Sequence, residues 1–112
     1  MPGEPLMDAY VSEGGETVTF GIDNTTGDDW PAGVFAYEFA VHRDGMLVQG
    51  ENDALPATGP GVLFLQTRPF LGVELPGSYT LSLTLIDRAT SATVATWSGQ
   101  VEHHEVWRPG KT

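Results

Sequence analysis

The chain has 112 residues, 40% of them hydrophobic and 18% charged, a composition that is neither that of a disordered chain nor that of a membrane one and that suits one domain with one core. With 15 acids against 5 bases the net charge is −10, so a phosphate backbone is repelled and nucleic acid is excluded as a partner. There is no cysteine, which excludes disulfides and thiolate metal sites, and no apolar run nears the roughly 18 residues of a membrane span.

The acidity reads first as solubility, and second as attraction for a basic partner or for cations. Met1-Pro2-Gly3-Glu4-Pro5 lacks the positive region and following apolar stretch of a signal peptide. Two compartments are therefore compatible: the cytoplasm if the chain is full length, the cell surface or exterior if it was cut from a larger protein.

Apolar residues recur every second position almost throughout, as in strands with one buried face. The 14 Gly and 8 Pro lie scattered between these runs, as turns do. A first short strand is expected from Leu6 to Val11, turned at Gly14-Gly15. In Thr17 to Asp23, Val18, Phe20 and Ile22 share one face. The polar segment Asp23 to Asp29 follows as a loop. From Val34 to Arg43, Phe35, Tyr37, Phe39 and Val41 alternate with Ala36, Glu38, Ala40 and His42. Asp44-Gly45 predicts a tight hairpin into Met46, Leu47 and Val48. Gly50 to Gly61 reads as a loop. Val62 to Thr67 is a further strand, ended or bent by Pro69. Ser78 to Ile86 alternates Tyr79, Leu81, Leu83 and Leu85 with Thr80, Ser82 and Thr84. Ala92 to Val101 follows, with Trp97 as its core anchor and Glu102 to Trp107 as an extension. The expected domain spans 1–112, with its core over about 6–107 and a mobile tail at 108–112.

Seven or so strands predict an antiparallel β-sandwich, because one open sheet would leave too many large apolar side chains wet. Leu75-Pro76-Gly77-Ser78-Tyr79 sharpens this. A Tyr just after a Pro-Gly turn, at the start of an alternating strand, resembles the tyrosine corner of immunoglobulin-like domains, whose hydroxyl bonds back to upstream backbone. Taken with Gly15 to Phe20, Asp23-Asn24-Thr25, Tyr37 to Val41 with Asp44-Gly45, and Ile86-Asp87, the pattern resembles the bacterial CARDB type of immunoglobulin-like domain over roughly residues 14–101. That resemblance implies a surface or adhesion role. Tyr37 to Val41 and Pro76 to Tyr79 are also similar to BsuPI-type intracellular proteinase inhibitors. Both likenesses rest on framework residues, so neither transfers a functional residue.

No catalytic set is found. Ser12, Ser78, Ser82, Ser91 and Ser98 lack a Gly-x-Ser-x-Gly elbow, and no Gly-rich loop opens a helix. The chain is thus expected to be no enzyme and to need no cofactor. For zinc, His103 and Glu105 are expected to share a strand face, with His42 joining from elsewhere and His104 pointing away. For calcium, Asp23, Asp28 and Asp29 with Asn24 offer hard oxygens, without the spacing of a known loop. Trp30 and Trp107 are aromatic platforms for a sugar or a protein partner, or else end covers of the core.

Three functions follow as expectations. The first is a protein-binding or assembly module, in which an edge strand (Met46 to Gln49 or Glu102 to Trp107) mediates self-association or partner binding. The second is a proteinase inhibitor presenting Glu51 to Gly59 or Gln66 to Gly72. The third is a carbohydrate-binding module using Trp30 and Trp107.

Overall fold

The computed structural model describes residues 5–72 and 75–103. Seven strands form among them: β1 Leu6–Val11, β2 Thr17–Asp23, β3 Phe35–Arg43, β4 Met46–Ala54, β5 Leu63–Pro69, β6 Gly77–Asp87 and β7 Thr93–His103. They make two antiparallel sheets, one ordered β1-β2-β5 and the other β4-β3-β6-β7. The fold is the expected immunoglobulin-like sandwich, with the fourth strand hydrogen-bonded to the third.

The alternating side chains of the two sheets meet in one core. Val18, Phe20 and Ile22 of β2 face Tyr37, Phe39 and Val41 of β3 and Leu81, Leu83 and Leu85 of β6, and all nine are buried. Phe20 stacks on Phe39 across the sheets, ring centroids 4.4 Å apart and planes at 18°. Each such side chain contributes roughly 1.5–3 kcal/mol by leaving water, and the two layers can bury them only against each other.

Turn chemistry sets the register. Asp44 and Gly45 take φ of 53° and 80°, and Arg43 pairs directly with Met46. Two residues with positive φ twist the turn in the same sense as the strands they join. Beyond it β4 runs through Gly50 to Ala54, so the first part of the expected 50–61 loop is strand. Its residues alternate weakly because β4 is an edge strand: Glu51 turns inward, while Asn52 and Asp53 are exposed. The period-2 signal fades where only one side of a strand packs.

Candidate functional site

Tyr79 stands at the start of β6 with its side chain fully buried. Its hydroxyl donates to the Leu75 carbonyl and lies 3.3 Å from that of Gly72, which closes the bend between β5 and β6. Phe70 packs edge-on to Tyr79 at 5.0 Å and to His103 at 5.4 Å. His103 thus belongs to an aromatic plug at this end of the core and is itself buried. His42 lies on the opposite face of the same sheet, since it pairs with outward Thr80 whereas His103 pairs with Gly77, two residues before inward Tyr79. The two imidazoles cannot share an ion. Glu105, His104 and Trp107 lie outside the described residues.

Trp30 caps the other end. It forms a two-way backbone bridge with Thr58 and sets its ring edge-on to Phe35 at 5.0 Å. At 6% exposure it presents no ring face to solvent, so it is an end cover and not a stacking platform. Trp97 is corrected in the other direction. It sits half-buried on β7, packed on the core's margin, with its indole lying against Gly99. An edge strand leaves one flank of a large ring uncovered.

The loop that holds the calcium candidates is organised by a side-chain amide. Asn24 is fully buried. Its Nδ2 donates to the carbonyls of Asp28 at 2.7 Å and Thr58 at 2.9 Å, while its Oδ1 accepts from the Thr26 amide at 3.1 Å and the Thr26 hydroxyl at 2.6 Å. Asp28 and Asp29 are exposed and Asp23 is half-buried at the end of β2. No three His, Cys, Asp or Glu among the described residues converge to hold a metal ion.

Both expected inhibitory loops are packed down. Glu51 to Ala54 belong to β4, Leu55 is buried, and Thr58 is bridged to Trp30. Gln66 to Pro69 belong to β5, and Phe70 is buried. Leu71 of the second segment stays 62% exposed.

The two expected edge segments lie at sheet margins. β4 and β7 flank the four-stranded sheet, and the second segment is described as far as His103. β4 carries a bulge opposite Val41/His42 together with Glu51 and Asp53, features that discourage another chain from pairing there.

The outward faces of the two sheets differ: the four-stranded one carries Leu47 and Ile86 but is otherwise mostly polar or small. On the four-stranded sheet, β6 and β7 present Thr80, Ser82, Thr84, Thr96, Ser98 and Gln100, short polar side chains suited to water. On the three-stranded sheet the outward positions form rows across the strands. Leu6, Asp23 and Leu63 make one row, Asp8, Gly21 and Leu65 the next, and Tyr10, Thr19 and Thr67 the third. Leu6, Tyr10, Leu63 and Leu65 are 64%, 53%, 52% and 50% exposed. Gly21 at the centre has no side chain, and the row leaves a groove of about 380 Å³ lined by these residues with Asp8 and Asp23. The two leucines lean over the glycine: a Cβ there would lie 3.0 Å from Leu65 Cδ1 and 3.4 Å from Leu63 Cδ1. Solvent-facing strand positions are ordinarily polar, and these four large apolar side chains depart from that pattern.

The sequence carried a signal for this face. In Leu63-Phe64-Leu65 both phases of the strand are apolar, and only Phe64 packs on the core. A run that fills both faces must cover something on each.

No protein-family model and no curated protein matches the chain. Among solved structures, two β-glucuronidase structures from Bacteroides uniformis are similar. One is a covalent complex with cyclophellitol-6-carboxylate aziridine, with TM-score 0.53 and 20% identity over 89% of this chain. The other has TM-score 0.52 and 18% identity over the same share. The chain spans only 13% of either enzyme. At this identity the likeness is one of fold: a β-sandwich of this kind occurs as a part of those larger chains. Among the described residues, no helix is long and apolar enough to cross a membrane.

Proposed function

We propose that this chain is a non-catalytic protein-binding module that docks a partner on the outward face of its three-stranded sheet. The observation that carries the reading is the cluster of Leu6, Tyr10, Leu63 and Leu65 around Gly21, set against the polar row that β6 and β7 present on the other sheet. The resemblance to CARDB-type domains supports the same class of role. The carbohydrate reading loses support from the burial of Trp30, and the inhibitor reading from the packing of both candidate loops.

A site-specific photo-crosslinker tests it. A benzophenone side chain is placed at Tyr10 or, as control, at Ser98, and the protein is irradiated in its native cells. A discrete adduct from position 10 that is absent from position 98 and lost on Leu65→Ser is the expected result. Equal labelling from both positions, or none from position 10, overturns the proposal.

A further inference from the structure

The chemistry of the docking face also defines what it would hold. We infer that its occupant is a short basic segment, one that sets an aliphatic or aromatic side chain in the groove between Leu6, Tyr10, Leu63 and Leu65 with lysine or arginine on either side. The inference rests on the docking reading above and adds to it the sign and size of the partner.

The anchor site comes first. The groove beside Gly21 has about 380 Å³, room for one or two large side chains, and its apolar wall is Leu6, Tyr10, Leu63 and Leu65. The charges come next. Asp8 stands directly beside Gly21 in the same row, and Asp23 stands between Leu6 and Leu63 in the row alongside. Asp8 Oδ1 accepts from the Ala9 amide at 2.8 Å, and no arginine or lysine among the described residues forms an ion pair with either carboxylate.

The three arginines among the described residues are held elsewhere. Arg43 reaches Asp44 and the Pro76 carbonyl, Arg68 pairs with Glu51, and Arg88 donates to the Gly33 carbonyl. Two carboxylates therefore flank an apolar notch on a chain whose net charge is −10. A cation beside an apolar anchor satisfies both features, and the field of the whole molecule draws such a segment in.

The same reasoning disfavours the other occupants. A second copy stacked on the same face would bring two faces carrying Asp8 and Asp23, of like charge, together. The exposed apolar patch, on the order of 400 Å², is also about half of what each partner of a standard interface contributes. An anionic lipid surface is repelled for the same electrostatic reason.

The experiment is an amide NMR titration of the full chain with three synthetic peptides. Each has Leu-Phe at its centre, flanked on both sides by two lysines, two serines or two glutamates. The lysine peptide is expected to shift the amides of Asp8, Gly21 and Leu65, with affinity falling about tenfold between 20 and 200 mM NaCl. Asp8→Asn/Asp23→Asn, which keeps the Oδ1 acceptor for Ala9, is expected to weaken it about fivefold at low salt. If the serine and glutamate peptides move the same amides as strongly, or if the double variant binds unchanged, the charge preference is wrong while the docking face stands. If no peptide moves these amides, or shifts appear equally beside Glu38 and Glu102, the inference falls, and the crosslinking result alone decides the docking face.

Discussion

Glu51 on β4 and Arg68 on β5 join the two sheets across an open side of the sandwich, with Nε to Oε1 at 3.0 Å and one terminal guanidinium nitrogen to Oε2 at 3.2 Å. The Tyr37 hydroxyl donates to the same Oε2 at 3.0 Å. Close by, Gln49 accepts from the Leu71 amide at 2.8 Å and donates to the Pro69 carbonyl at 3.1 Å. These contacts tie edge strand β4 to the opposite sheet, where β4 itself has little apolar area to offer. Burial, the hydrogen bond to Glu51 and that carboxylate's charge together push the Tyr37 phenol up from 10.0 to about 12.

That shift makes an alkaline prediction. The folded state holds the Tyr37 proton more tightly than the unfolded state, so the group's contribution is complete below pH 10 and is lost as pH rises from 10 through about 12. One group loses at most about 1.4 kcal/mol per pH unit across that window. Urea unfolding at pH 9, 10 and 11.5 should show a steeper fall for the native chain than for Tyr37→Phe. Parallel curves would show that Tyr37 is not held this way.

Tyr79→Phe removes the hydroxyl that the Leu75 and Gly72 carbonyls share. Leaving a buried acceptor without its donor costs about 1–3 kcal/mol. Urea midpoints at pH 7 measure it, with an unchanged denaturant slope showing that the fold persists.

Gly15 is required twice over. Its φ is +71°, and a Cβ there would fall 2.3 Å from Cε1 of His103. Gly15→Ala should destabilise by about 2–4 kcal/mol. In a His103→Ala background the steric part disappears, and the remaining loss should drop to about 1 kcal/mol for the left-handed backbone. An undiminished loss in the double variant would place the clash elsewhere.

Asn24→Ala should cost about 3 kcal/mol, since two carbonyls and the Thr26 donors lose their partner inside the fold. Asn24→Asp should be worse, because it sets a carboxylate oxygen against the carbonyls of Asp28 and Thr58. Thermal unfolding at pH 7 ranks the two. Added calcium should rescue neither.

Leu65→Ser on the outward face should change stability by no more than about 0.5 kcal/mol. Equilibrium unfolding checks that the lost crosslinking expected of it is not a folding defect.

Most strands were legible because Phe39 and Leu83 sit in elements that bury one face and leave the other partly wet, so each position's environment is written in its neighbours two places away. The segment 75–79 was equally readable, since a Pro-Gly turn leaves a buried phenol few acceptors besides the turn itself. β4 beyond Gly50 was not, because an edge strand carrying Glu51 and Asp53 has no apolar period to show. That Trp30 is an end cover and Trp97 only partly buried was hidden for a related reason. Composition fixes that an indole needs cover, but only the tertiary fold decides whether a loop or a sheet margin supplies it. The candidate docking face was hardest: Leu6, Gly21 and Leu65 are spread over 59 residues of chain, and only strand pairing brings them into the same or adjacent rows.

The contrast between the two outward faces gives the domain a front and a back. At an alkyl-coated resin or an air–water boundary it should land one way round, with the hydroxyl-bearing side left facing the liquid. Anything attached to the residues of β6 and β7 on that side would then be displayed upward, whichever end of the chain carried it.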